Sequence, residues 1–121
     1  MAAKKKSVTI QYTHPMILDL GFKKINIIQK SLEKEGLYGC VEISKGLLTV
    51  DPNQSPPDYK GTLLHEICHV GFDLFGLGDD DEMPQMGNEF LTTVTSNMLQ
   101  LLWGLNYELF DFIFNTEDKP A

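Results

Sequence analysis

The chain has 121 residues, of which 42% are hydrophobic and 22% are charged, and this composition is typical of one packed domain rather than of a disordered or fibrous chain. Residues 1–50 hold eight lysines against four acids, whereas residues 51–121 hold two lysines against thirteen acids, so the net charge of −7 hides a basic part and a strongly acidic part. Arginine is absent and the acidic part would repel a polyanion, which argues against nucleic acid as a partner.

No segment of the sequence has the pattern of a membrane span or an export signal. No apolar run approaches the ~20 residues that cross a bilayer, and no apolar core follows the N-terminal lysines. Two cysteines, Cys40 and Cys68, are too few for a disulfide scaffold, although a bridge between them stays open. We therefore expect a single domain over residues 1–121, with a flexible basic tail at 1–7, that works in the cytoplasm without contacting a membrane.

The N-terminal part of the chain predicts strands, with one ambiguous stretch. Residues 8–12 alternate between apolar and polar and predict a strand. Within residues 16–35, apolar side chains recur at helical spacing, but Gly21 weakens that pattern and Lys24 to Ile28 fits a strand equally well. Helix and strand both stay open for this stretch.

A hairpin and three helices are predicted after residue 36. Cys40 to Ile43 and Leu47 to Val50 flank a turn that contains Gly46, which is typical of a hairpin. Residues 51–57 are turn-forming, and 58–75 then follow a helical pattern. Two more helices are predicted at 88–103 and 107–114, the first with these residues on its apolar side: Phe90, Leu91, Val94, Met98, Leu99, Leu102 and Trp103. The order predicts an α+β fold, a short, mainly antiparallel sheet followed by packed helices.

The most informative stretch is His65-Glu66-Ile67-Cys68-His69, inside the strongest helical pattern. Residues i and i+4 stand one above the other on a helix, so both imidazoles can bind one metal ion. Glu66 lies about 100° further round the helix, where it suits a water molecule beside the metal better than the metal itself. Cys68 has apolar neighbours and is interpreted as a buried, inert thiol.

A catalytic zinc ion needs a third protein ligand. The metzincin pattern is excluded because Phe72 and Phe75 occupy its glycine and third-ligand positions. Asp73 is eight residues after His65, about 12 Å along a continuous helix, which is too far. Glu89 borders an apolar stripe at the start of the next helix and is the preferred third ligand. Four acids between the helices are rivals, although a solvated loop is the favoured interpretation: Asp79, Asp80, Asp81 and Glu82.

The stretch Gly61-Thr62-Leu63-Leu64-His65-Glu66-Ile67-Cys68-His69, followed by Asn88-Glu89, is similar to the small gluzincin metallopeptidases, and most similar to the short ImmA/IrrE-like domains of bacteria and phages. The resemblance covers roughly residues 37–114. It implies a zincin-like fold, Zn²⁺ bound by His65, His69 and Glu89, and Glu66 as general base and acid. It also implies a bacterial or phage-infected cytoplasm and a peptide or protein substrate that pairs with a sheet edge, either Leu47 to Val50 or Cys40 to Ile43.

The resemblance is incomplete in two places. Larger gluzincins carry an aspartate four residues after the glutamate ligand, and this chain has Thr93 there. Those enzymes also stabilise the oxyanion with a histidine or tyrosine, for which four residues are candidates: His14, Tyr38, Tyr59 and Tyr107. The leading hypothesis is a zinc-dependent peptidase. The alternative is a metal-binding accessory or regulatory phage protein with little turnover, which the small size of the chain favours.

Overall fold

The computed structural model describes residues 11–76 and 88–115 of the chain. Short 3-10 turns at Glu33–Glu35 and Ile43–Lys45 lie between strands. The strands and helices, in chain order, are β1 (Ile17–Asp19), β2 (Lys24–Gln29), β3 (Gly39–Glu42), β4 (Leu47–Val50), α1 (Pro56–Leu74), α2 (Asn88–Leu105) and α3 (Tyr107–Phe114). The predicted α+β class is confirmed, and so are the hairpin and the three helices. The basic tail predicted at 1–7 lies outside the described residues.

The sheet has the order β1-β2-β4-β3. The two outer pairings are antiparallel, whereas β2 and β4 are parallel, with Ile27 opposite Leu48. Two of the three pairings are antiparallel, as predicted, and the sheet is mixed because the β3–β4 hairpin docks on β2 through its second strand. This arrangement leaves β3 at one edge of the sheet and β4 inside it.

The ambiguous stretch at 16–35 forms strands β1 and β2 and the 3-10 turn at Glu33–Glu35, not an α-helix. Ile25 and Ile27 are buried while Lys24 and Asn26 are exposed, which is the two-residue alternation of a strand with one covered face. The strand predicted over 8–12 lies partly outside the described residues, and the part that is described is not in a strand.

Helix α1 begins where turn-forming residues give way to a capping serine. The Ser55 hydroxyl accepts a hydrogen bond from the Asp58 amide at 3.3 Å, and Pro56 and Pro57 fit the first turn, where no amide partner is needed. The helix contacts β3 and β4 as well as α2 and α3. Leu63, at 0% exposure, belongs to the apolar core that these elements share.

Helices α2 and α3 cover the other side of α1. Met98 and Leu102 of α2 are fully buried. Phe90 is 53% exposed, so its predicted place on the apolar side of α2 is wrong. Trp103 is 39% exposed and stacks on Phe110 and Phe114 of α3. Among the described helices, none combines the length and apolar character needed to cross a membrane.

Candidate functional site

The two histidines of the motif converge on one point. Helix α1 is continuous through His65 and His69, and their Nε2 atoms lie 3.2 Å apart on its exposed face. Two nitrogens that bind one tetrahedral zinc ion at about 2.0–2.1 Å lie roughly 3.3 Å apart. The observed spacing fits that geometry. It also fits an N–H···N hydrogen bond, so the metal-free protein can keep the same arrangement.

Glu66 lies beside this pair and is buried. Glu66 is only 7% exposed, and its carboxylate accepts no hydrogen bond from any of the described residues. Burial raises the pKa of the Glu66 carboxyl, and the neighbouring charges of His65 and His69 partly offset that increase. Since no described residue donates to this buried carboxylate, a water molecule next to the histidines would satisfy it.

The start of strand β3 packs directly on this carboxylate. A Cβ atom at Gly39 would lie 2.7 Å from Thr62 Cγ2, closer than side chains approach, and 3.1 Å from Glu66 Cγ, which is a tight contact. Glycine at this position therefore brings the edge strand against the motif helix. Sequence reasoning missed this residue, since a glycine before a short strand is a weak signal without knowledge of what the strand packs against.

A cleft of about 830 Å³ leads to the site. It lies between the start of β3, the loop before α1 and the first half of α1, and its walls include Tyr38, Asn53 and Thr62 as well as His65 and Glu66. The cleft therefore brings His65 and Glu66 together with the start of the edge strand β3.

Of the four candidates for an oxyanion-stabilising residue, only Tyr38 lines this cleft. His14 and Tyr59 are buried and bound to each other, with Nε2 2.7 Å from the hydroxyl oxygen. Tyr107 lines a different cavity, beside Ile17. Tyr38 is 67% exposed, so its hydroxyl is accessible from the cleft.

The cleft wall is held by Gln54, which sequence reasoning also missed. Its side-chain oxygen accepts a hydrogen bond from the Thr62 hydroxyl at 2.8 Å, and its amide nitrogen donates to the Asp51 carbonyl at 2.7 Å. The Asp51 carboxylate in turn accepts from the amides of Leu32 and Asn53 at 3.0 and 2.8 Å. These bonds join the loop before α1 to the helix turn that precedes the motif.

The third ligand is not determined within the described residues. Glu89 is in the first turn of α2, but its side chain lies outside the described part of the chain, as do the rival acids at 79–82. Glu89 was preferred as third ligand because it borders an apolar stripe. Phe90 is exposed, so this stripe starts no earlier than Leu91. Asp73 is exposed near the end of the unbroken helix α1. In the ranges 11–76 and 88–115, no three metal-ligating side chains form a cluster that could hold an ion.

Both cysteines are free thiols, so no disulfide joins them. Burial raises the pKa of the Cys68 thiol, which fits the inert role predicted for it. Burial, with a contribution from the charge of Glu66, also raises the pKa of Cys40 in β3. Neither thiol has the lowered pKa that marks a reactive cysteine.

Comparison with known proteins finds no matching family model, no matching curated protein and no matching solved structure.

Proposed function

We propose that this protein is a zinc-dependent peptidase of the small gluzincin kind. The observation that carries the proposal is the pair of Nε2 atoms of His65 and His69, 3.2 Å apart, with the buried Glu66 carboxylate beside them at the end of a cleft. A purely structural zinc site closes with four protein ligands and needs no general base. A buried glutamate next to a two-histidine pair is instead the arrangement that hydrolysis requires.

His65 and His69 would hold the zinc ion, with Glu89 as the third ligand. When bound, the ion supplies a Lewis acid that acidifies a water molecule and polarises the substrate carbonyl. Glu66 takes the proton from the attacking water and delivers it to the leaving amine, so one carboxyl acts first as base and then as acid. Its burial favours the neutral form and so makes the carboxylate a stronger base than an exposed glutamate.

The substrate would lie along β3 as an extended peptide. β3 pairs with β4 on one side, and no strand of the described residues covers its other side. Backbone groups of an edge strand can pair with a peptide, which supplies affinity without requiring a particular sequence. Tyr38, immediately before β3, would place its hydroxyl near the scissile carbonyl. The resemblance implies a bacterial or phage-infected cytoplasm, and free Cys40 and Cys68 are compatible with a reducing compartment.

The test compares metal content and turnover in matched variants. Glu66→Gln keeps the size of the side chain and removes the base, so we expect about one zinc ion per chain and no hydrolysis of a peptide library. His65→Ala should lose the metal as well. Tyr38→Phe should keep the metal and lower kcat. If wild-type protein binds zinc but cleaves no peptide, the alternative of a metal-binding accessory protein replaces the enzyme. If Glu66→Gln loses zinc as completely as His65→Ala, Glu66 is a ligand and not the base.

A further inference from the structure

A second cavity lies beside the cleft and is apolar. It has a volume of about 360 Å³ and lies between the first half of α1 and the end of α3. Its walls include Leu64 on α1 and Ile113 and Phe114 on α3. It shares Pro57 and Gly61 with the cleft that contains His65 and Glu66. The two cavities are therefore neighbours that meet at one turn of the motif helix.

Gly61 is in the interior of α1, where glycine is less favourable than alanine. A Cβ atom at this position would meet no atom within 4 Å. Gly71 in the same helix is different, because a Cβ there would lie 2.6 Å from Met98 Cγ. Packing thus accounts for Gly71 but not for Gly61. Because Gly61 has no side chain, the space where the cleft and the apolar cavity meet stays open.

We propose that the apolar cavity is a specificity subsite that binds one aliphatic or aromatic side chain of the peptide substrate, and that Gly61 keeps its entrance open. This inference rests on the proposed peptidase function and names the substrate class. The occupant follows from continuity with the cleft: a peptide beside His65 lies next to the entrance. The volume suits one side chain rather than a helix of a partner protein.

The walls explain why the side chain would be apolar. Leu64, Ile113 and Phe114 offer no hydrogen-bond partner, so a charged side chain would lose its hydration without compensation. The single cation in the wall, Lys60, donates from Nζ to the Asn115 carbonyl at 2.9 Å. That bond joins α1 to the residue that follows α3. The ammonium group of Lys60 therefore already has a partner within the protein.

The experiment measures binding rather than turnover, so it does not depend on catalysis. The probes are acetylated, amidated pentapeptides of alanine whose central residue is leucine, alanine or aspartate. The full chain carrying Glu66→Gln is titrated with each peptide, and Kd is obtained from amide and methyl NMR signals. We expect the leucine peptide to bind about tenfold more tightly than the alanine peptide, and the aspartate peptide no more tightly than alanine. Signals of Leu64 and Ile113 should shift.

Gly61→Leu fills the entrance and should reduce the leucine-to-alanine ratio to about one. Gly104→Leu is the matched control, because a Cβ there also meets nothing within 4 Å and Gly104 lines a separate cavity. This control should keep the tenfold ratio. Both variants are first checked by thermal melting, and Gly61→Ala replaces Gly61→Leu if the larger side chain prevents folding.

Equal binding of the leucine and alanine peptides, or no measurable binding of either, would overturn the subsite even if zinc and hydrolysis are found. An unchanged ratio in Gly61→Leu would also overturn it. A leucine preference that Gly61→Leu removes, in a protein that never hydrolyses peptides, would keep the subsite and refute the enzyme. A dimer that Gly61→Leu dissociates would assign the cavity to a second copy of the chain and overturn the substrate proposal.

Discussion

The crossing of α1 and α2 at Gly71 provides a prediction that can be worked out from the structure. A Cβ atom at this position would lie 2.6 Å from Met98 Cγ and 3.1 Å from Leu102 Cδ1, and it would also contact Met98 Sδ. Ordinary contacts between carbon atoms are about 3.5–4.0 Å. Met98 would therefore have to move by roughly 1 Å. Met98 is 1% exposed and Leu102 0% exposed, so neither can move into solvent.

Two opposing effects decide the free energy of unfolding of Gly71→Ala. Replacing glycine by alanine inside a helix stabilises it by about 1 kcal/mol. Overpacking a filled core costs about 1–3 kcal/mol. Gly61→Ala, in the same helix, has the first effect without the second, because no atom lies within 4 Å of its new methyl group. The helix-propensity term cancels between the two variants, so Gly71→Ala should be less stable than Gly61→Ala by about 1–3 kcal/mol.

The assay is thermal and urea unfolding of both variants beside the wild type. At roughly 4 °C per kcal/mol for a chain of this size, the two midpoints should differ by about 4–12 °C, with Gly61→Ala at or above the wild type. If Gly71→Ala is as stable as Gly61→Ala, then Met98 relaxes at no cost. That result would refute the tight crossing of α1 and α2 inferred here.

Two further predictions concern the third ligand and the buried histidine. Glu89→Gln should lose zinc in metal analysis while Asp73→Asn keeps it, since Asp73 is exposed near the end of a continuous helix. If both variants keep zinc, Glu89 is not the third ligand and the acids at 79–82 are the remaining candidates. Burial lowers the pKa of His14. Below about pH 6.5 the unfolded chain therefore takes up a proton more readily than the folded one, so the free energy of unfolding should decrease as the pH is lowered. The slope of Tm against pH should be smaller in His14→Gln; equal slopes would mean that His14 is as easily protonated in the folded state.

The helices and the convergence of His65 and His69 could be predicted because their signals are local. The i, i+4 spacing brings His65 and His69 together within one helix, so their convergence requires no contact from elsewhere in the chain. The same is true of α1 as an element, because its apolar periodicity lies within one stretch. The hairpin after Gly39 was also local, since its two strands are separated by a short turn.

What surrounds the pair was decided by tertiary structure. Residues 16–35 fit two periodicities, and strand pairing of β2 with both β1 and β4 selected the extended form. The pattern of a helix states which face is buried but not what covers it. For that reason Phe90 was assigned to the wrong side of α2, and the roles of Gly39 and Gln54 at the cleft were not foreseen.

The division has a single physical reason. Residues within one or two turns of a helix have fixed relative positions, so the sequence alone determined that His65, Glu66 and His69 share a helix and that the two imidazoles lie together on one face of it. Contacts between segments far apart in sequence depend on which apolar faces pack together. Only the tertiary structure therefore decided that β3 is the edge strand beside Glu66. It also decided that Tyr38 lines the cleft while His14 and Tyr59 are buried in the core. The apolar cavity next to Gly61 likewise depends on how α1 packs with α3.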